Sequence, residues 1–263
     1  MISVVILTSG SNRHKYFVNN LSRYFKVLGV VSEKKRPITI FDNKEENEIS
    51  KKHFFQRDLA ESLYFKDHDL FCVSDSEILN LENTQINSLE TFDWVKSKNP
   101  DFVILFGTSI IRAPLLTYFE NKIINMHLGL SPYYRGSGTN FWPLVNNQPE
   151  CIGATIHLAI LKVDAGAILA QVRPLPVGGD NCHDLGCKTI IAGTHTMINC
   201  INLYNDKKII PTSQNLTGGF VYKKSDFNPS AVLKMWENFE NGMIKSYITD
   251  KDLRDRKYPI INL

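Results

Sequence analysis

Residues 101–106 read Asp-Phe-Val-Ile-Leu-Phe, five consecutive large or β-branched apolar side chains behind a single acid. Successive side chains of a strand point to opposite faces, so a strand with no polar position is covered on both sides. That is the situation of an inner strand of a parallel sheet. The run is far too short to cross a membrane as a helix, which takes about 18 or more apolar residues, and no other stretch comes closer. Around it, strand-like runs at 2–8, 27–32, 70–73 and 122–125 alternate with helical patterns. The helices run from the Ser-Gly-Ser-Asn break at 9–12 to about 25, through 65, and over 88–98, with a polar segment at 34–47. This alternation predicts an α/β fold, a mostly parallel twisted sheet flanked by helices on both faces.

Beyond residue 127 the texture changes. Residues 127–138 hold three glycines, a proline and two serines and read as a loop. Runs at 153–161 and 166–173 predict an antiparallel hairpin on an Asp-Ala-Gly turn, and 184–204 one long helix. The tail carries a strand-like segment at 219–223, an edge unless paired, and a helix starting near 230 after Pro229. That helix aligns Val232, Trp236 and Phe239 with Leu233 alongside, a stripe that needs an apolar cover. Residues 1–205 are expected to form the catalytic unit and 206–263 a small extension serving subunit association or substrate coverage.

With 30 Lys and Arg against 27 Asp and Glu, the chain carries only +3, against the basic excess of proteins that hold nucleic acid by neutralising phosphates. The opening segment lacks a basic n-region and breaks at Gly10, so it reads as neither signal peptide nor membrane span. A cytoplasmic protein with no membrane partner is expected. The five cysteines have no framework spacing and read as reduced and structural. Cys182-His183 with Cys187 matches no common zinc pattern, and no metal is expected.

Chemistry concentrates after the buried strands. Asn125 and His127 stand two apart, so a strand presents an amide and an imidazole on one side. At the carboxyl end of a parallel strand that is where ligand sites form. Alone they also read as a turn residue and a loop cap. Two neighbours alter that reading: Leu130-Ser131-Pro132-Tyr133-Tyr134-Arg135-Gly136 follows, and Val163-Asp164-Ala165-Gly166 puts an acid on the hairpin turn, where it can orient an imidazole.

Together these motifs resemble the folate-dependent formyltransferases, whose signature is Asn-x-His, a Leu-Leu-Pro-x-Tyr/Phe-Arg/Lys-Gly-like loop and an Asp-x-Gly. The loop here departs mildly, reading Leu-Ser-Pro, and the resemblance spans roughly residues 1–205. It implies a Rossmann-like core and a formyl donor, 10-formyltetrahydrofolate. It implies that an amine attacks the formyl carbon, that Asn125 donates to the oxyanion, and that His127 takes the amine's proton and passes it toward the folate nitrogen. Asp164 would hold the imidazole and raise its pKa. Folate would lie against Phe106, Gly107, Thr108, Ser109, Ile110 and Ile111, with Leu130, Pro132 and Val163 completing the pocket. His157 is the family's cleft-lining position and equally an ordinary sheet-face histidine.

On the acceptor side, the resemblance suggests Gly10-Ser11-Asn12 as a phosphate loop, with Arg13 and His14 adding charge, although a capped turn explains the same residues. Arg135 belongs to the same side, and Tyr133, Tyr134 and Trp142 are candidates to stack on base or sugar. Methionyl-tRNA formyltransferases carry a carboxyl-terminal barrel for tRNA, and glycinamide-ribonucleotide formyltransferases lack the 34–66 insertion and the tail. The loop around 127–143 looks most like the sugar-nucleotide N-formyltransferases. The expected acceptor is therefore a nucleotide-linked amino sugar, handled by a homodimer. The alternatives are formylation of methionyl-tRNA or glycinamide ribonucleotide, or an inactive binding module.

Overall fold

The computed structural model describes residues 1–35, 43–74 and 77–263. In chain order the elements are β1 (Ser3–Thr8), α1 (Asn12–Leu21), β2 (Lys26–Glu33), α2 (Lys44–Tyr64), β3 (Ile78–Leu81), α3 (Leu89–Ser97), β4 (Phe102–Phe106) and α4 (Leu115–Tyr118). There follow β5 (Ile123–Leu128), β6 (Tyr134–Gly136), α5 (Trp142–Val145), β7 (Ala154–Leu158), β8 (Ile168–Val172) and α6 (Cys182–Asn205). The last are β9 (Phe220–Tyr222), α7 (Pro229–Glu240), α8 (Met243–Thr249) and α9 (Lys251–Asp255).

Seven strands form one sheet in the order β3-β2-β1-β4-β5-β7-β8. The first five are parallel, and β7 and β8 add an antiparallel extension. Strand alternation divides the core in two. Val4, Ile6, Phe102, Ile104 and Phe106 pack on one face beneath α1 and α6, with Phe17, Leu21, Met197 and Ile201. Val5, Leu7, Val103 and Leu105 pack on the other, beneath Val95 of α3 and Leu115 of α4. The apolar run 102–106 is thus buried on both faces, as its lack of a polar position requires. Gly193 lets α6 approach the sheet, since a Cβ there would lie 2.8 Å from the Met126 sulfur.

Several expectations are corrected. The third strand is Ile78–Leu81, paired with β2, and not 70–73. The Asn19 side chain claims the backbone of that earlier segment, donating to the Leu70 carbonyl at 2.9 Å and accepting from the Cys72 amide at 2.7 Å. Strand β5 runs on through His127, because β7 pairs with it residue by residue. The connection between β7 and β8 is longer than a tight turn and holds Asp164 at φ +51°. Inside the segment expected to be loop, β6 pairs in parallel with β9, so the tail strand has a partner along one side. Part of the polar segment at 34–47, residues 36–42, lies outside the described residues.

The tail folds back on the rest of the chain. Val232 and Met235 are fully buried, while Trp236 and Phe239 pack near Leu144, Met243 and Ile244. Leu233 stays exposed, so it does not belong to the covered stripe. Asn238 donates to the Leu144 carbonyl at 2.8 Å, and Arg254 pairs with Glu150 at 2.6 Å. Among the described residues no helix is long and apolar enough to cross a membrane.

Candidate active site

On β5 the odd positions Asn125 and His127 face away from α6, while Ile124 and Met126 pack beneath it. The antiparallel register sets His157 opposite Asn125 and Thr155 opposite His127. The Asn125 Nδ2 stands 3.0 Å from His157 Nε2. The His157 Nδ1–H donates to the Leu158 carbonyl at 2.8 Å, which leaves Nε2 to accept from Asn125. Asp164 Oδ1 lies 3.4 Å from His127 Nδ1 and 3.7 Å from His157 Nε2, and Oδ2 accepts from the Gly136 amide at 3.2 Å. The structure therefore brings Asn125, His127 and Asp164 together, with His157 bonded to the amide and near the acid.

Thr139, which the sequence reading passed over, completes the set. Its Oγ1 is 3.2 Å from His127 Nε2 and also within reach of the Leu128 carbonyl. The hydroxyl proton goes to the Leu128 carbonyl, which leaves Oγ1 as the acceptor for Nε2–H of a protonated imidazole. Beneath, Thr155 donates to the Gly129 carbonyl at 2.7 Å and accepts from the Ser131 amide at 3.0 Å, and Gln171 donates to the Ser131 carbonyl at 2.6 Å. These buried bonds brace the turn after His127. Gly129 is required there: a Cβ would lie 2.6 Å from Thr139 Oγ1 and 2.7 Å from His127 Nε2.

Burial lowers the His127 pKa below its ordinary 6.5, and although the Asp164 charge opposes this, the net direction is down. Asp164 raises the imidazole pKa as expected, but desolvation outweighs the pair and leaves the net value lowered. Burial pushes the Asp164 carboxyl up, but His127, His157 and the Gly136 amide together bring it down to about 2. At neutral pH the site holds a carboxylate beside a neutral imidazole.

The other expected residues divide. Phe106 is buried against Phe17 and His14. The Ser109 amide donates to Glu33 at 3.0 Å, the Ile110 carbonyl accepts from Asn87 at 2.9 Å, and the Gly107 carbonyl accepts from Lys35, so these groups already hold the segment 106–111, Thr108 included. Among the described residues the Ile111 amide and carbonyl carry no hydrogen bond. Ile110 and Val163 expose their side chains, whereas Leu130 is wholly buried and lines no open surface. Pro132 follows Ser131 through a cis peptide bond.

Ser11, and not Asn12, is the N-cap of α1, and its hydroxyl lies 2.7 Å from His14 Nδ1. Gly10 beside it is exposed. His14 contributes no charge, because burial holds it well below its ordinary pKa, which corrects its expected part in a cationic loop. Arg13 is ion-paired with Glu61 of α2. Tyr134 and Trp142 are also corrected. Tyr134 is 1 % exposed and stacks on Tyr222, and Trp142 lies flat on the same ring at 4.2 Å, so neither offers a free face. Tyr133 is only partly buried and donates to the Pro259 carbonyl at 2.7 Å. Arg135 is 9 % exposed, and its Nε has no partner among the described residues.

Fold and site define a Rossmann-like α/β protein whose polar cluster sits on the junction between parallel sheet and antiparallel extension. Residues 2–201 match the Formyl transferase family, and the chain belongs to it; the family's formyl donor is 10-formyltetrahydrofolate. A methionyl-tRNA formyltransferase of Thermodesulfovibrio yellowstonii is 31 % identical over 137 residues, 50 % of this chain and 44 % of that protein. The first curated relatives are matched over only 27–44 % of their own length. Among solved structures, a glycinamide ribonucleotide transformylase from Symbiobacterium toebii superposes with a TM-score of 0.56 at 20 % identity, covering 82 % of this chain and 94 % of that one. An N-formyltransferase from Helicobacter canadensis, in complex with folinic acid and dTDP-3-aminofucose, gives 0.54 at 18 %, covering 87 % and 73 %. At these identities the superpositions establish the fold.

Proposed function

We propose that this chain transfers the formyl group of 10-formyltetrahydrofolate to the amino group of a nucleotide-linked amino sugar. The observation that carries the choice of acceptor is a group of cations near the carboxyl ends of β1 and β2. Burial brings the Lys35 ammonium down to about 8, with Arg13 and Lys224 adding to the effect against Glu33. Lys35 and Lys224, from two separate segments with one of them in the tail, suit the charge of a diphosphate, beside an Arg13 whose own charge Glu61 offsets. Arg135, with its unpaired Nε, is a further anion donor, and Tyr133 remains the ring available to a base or sugar. The Helicobacter canadensis protein, whose structure holds a nucleotide-linked amino sugar, shares this fold.

The folate side fits the residues present. The free amide and carbonyl of Ile111 offer a donor–acceptor pair for the edge of a pterin, and exposed Ile110 and Val163 offer apolar cover. The bound donor supplies the formyl carbon and a nitrogen that takes up a proton when transfer is complete. Asn125 has a second N–H beyond the one directed at His157, and it donates to the negative charge developing on the formyl oxygen. His127 accepts the amine's proton at Nε2, the nitrogen not facing Asp164. Asp164 holds Nδ1–H and stabilises the imidazolium, and Thr139 accepts from Nε2–H once the proton has moved.

In this reading residues 1–205 do the chemistry and 206–263 wall the acceptor side through the β6–β9 pair. Two copies associate, for which the exposed Phe55, Leu59 and Leu63 of α2 offer an apolar stripe, and sedimentation measures that directly. The deciding experiment incubates the protein and 10-formyltetrahydrofolate with nucleotide-linked 3-amino and 4-amino sugars, glycinamide ribonucleotide and methionyl-tRNA in parallel. Mass spectrometry should find one added formyl group on a nucleotide-linked sugar. Formylation of methionyl-tRNA or glycinamide ribonucleotide alone would overturn the choice of acceptor.

A further inference from the structure

The sequence offered Cys182 and His183 without a third ligand at zinc-like spacing. The fold supplies one from α2, far away in sequence. His53, Cys182 and His183 each present a ligand atom, and all three atoms lie within 4.8 Å of one another. The two imidazole rings stand 4.8 Å apart between centroids. Both histidines are at least nine-tenths buried, at 7 % and 9 % exposure. His53 Nδ1 and His183 Nε2 have no hydrogen-bond partner among the described residues. Phe54, Phe141 and Phe227 surround His53 with rings and offer no acceptor. Buried imidazole nitrogens are ordinarily bonded, and two orphans beside one thiol call for a common partner.

We propose that His53, Cys182 and His183 form a binding site for a borderline or soft transition-metal ion, with Zn²⁺ as the reference ion, which clips α2 to the first turn of α6. Two imidazoles and a thiolate select zinc-like ions over magnesium or calcium, and three protein ligands leave one coordination position to water. The backbone is already organised for this. Asn181 caps α6, accepting from the His183 amide at 2.8 Å within a capping box with Asp184, which fixes the two adjacent ligands. The neighbouring Arg57 is engaged by Asp58 at 2.7 Å and by Glu61 at 3.7 Å, so its charge is offset.

Protonation fits as well. Burial, with smaller contributions from His183 and Arg57, brings His53 down to about 3, and burial and Arg57 bring His183 down to about 4. Both lone pairs are therefore free at neutral pH. Burial pushes the Cys182 thiol up to about 12, so the ion must displace its proton: the S–H bond breaks, the sulfur–metal bond forms, and one proton passes to the buffer. The ion would also secure the helix that carries Glu61, the partner of Arg13. No step of the formyl transfer passes through it.

The test uses the reduced full chain. After equilibration with Zn²⁺ and exhaustive dialysis, metal analysis should find one ion per chain, and calorimetry in buffers of different ionisation enthalpy should find close to one proton released. Co²⁺ in its place should give a thiolate-to-metal charge-transfer band. Cys182→Ser should abolish the band and weaken binding at least about 100-fold, more than the loss of an outer partner usually costs. Cys187→Ser should bind like the unaltered protein. Zn²⁺ at about 100 times its Kd should raise the melting midpoint by roughly 5 °C or more, and His183→Gln should remove that shift. If Cys182→Ser fails to fold, the band and proton count of the unaltered chain and of His183→Gln decide. Absence of both retained ion and charge-transfer band in the reduced unaltered protein would overturn the proposal. So would a Cys182→Ser protein that binds equally well.

Discussion

Asp164→Asn exchanges a carboxylate oxygen for an amide and keeps the side chain's shape. Asp164 sits at φ +51°, and asparagine, like aspartate, tolerates that left-handed backbone, so the substitution isolates the charge. In the folded protein the carboxyl titrates at about 2, against an ordinary 3.8. At 1.36 kcal/mol per unit this corresponds to at most about 2 kcal/mol at neutral pH, where the His127 imidazole that does most to depress the carboxyl is neutral. Because the folded value is depressed, the contribution is complete above the unfolded value and fades as pH falls from about 4 toward 2. Urea unfolding at neutral pH should show the variant less stable by no more than that amount with an unchanged slope, and the gap should close in acid. Activity tests the same charge separately. Asp164 is the group that raises the His127 pKa against burial. Without it the imidazole pKa drops further, so the acid limb of kcat/KM should move to lower pH while the plateau falls roughly 10²–10⁴-fold. A variant with an unchanged plateau and an unmoved limb would refute the assignment of Asp164 as the partner of His127.

Other substitutions probe neighbouring parts of the account. Asn125→Leu should lower kcat by about 10²–10³-fold with a smaller effect on folate binding, as loss of one oxyanion donor does, and single-turnover kinetics would show it. Thr139→Val keeps the shape but removes the acceptor for Nε2–H, so the acid limb should again shift to lower pH; an unaltered pH profile would exclude the hydroxyl. Gly129→Ala forces a Cβ to within 2.6 Å of Thr139 and should abolish turnover while folate binding, read by fluorescence, persists. Trp142→Ala should cost about 3–5 kcal/mol in thermal or denaturant unfolding, as a buried aromatic does, with little change in KM for the acceptor. A raised KM with unchanged stability would instead make Trp142 a substrate-stacking residue.

The parallel half of the sheet was legible because both faces of its inner strands are apolar. Phe102–Phe106 has no polar position to misplace, and strand alternation alone assigns Val103 and Ile104 to opposite cores. Asn125, His127 and Asp164 were legible as residue types in a motif. What was not legible is what long-range pairing decides. Thr139 reads as one more hydroxyl in a glycine-bearing loop until β5 and that loop fold together. The run at 70–73 looks like a strand, and only the Asn19 side chain, from a distant helix, removes its backbone from the sheet. Tyr134 and Trp142 looked like open aromatic faces because their cover, Tyr222, arrives from the tail. The net direction of the His127 pKa was not legible because sequence shows a carboxylate partner, which does raise it, but not the depth of burial that outweighs that effect.

In the proposed reaction the Asn125–His127–Asp164 set moves a formyl group onto the nitrogen of a nucleotide-linked amino sugar. The most direct measurement is single-turnover transfer from 10-formyltetrahydrofolate carrying ¹³C in its formyl group, followed by NMR for the unaltered protein and for His127→Asn. The labelled carbon should appear as a formamide on the sugar nitrogen, with the His127→Asn rate lower by roughly 10²–10⁴-fold and folate affinity little changed. Label that stays on folate, or reaches the sugar equally fast without His127, would contradict it.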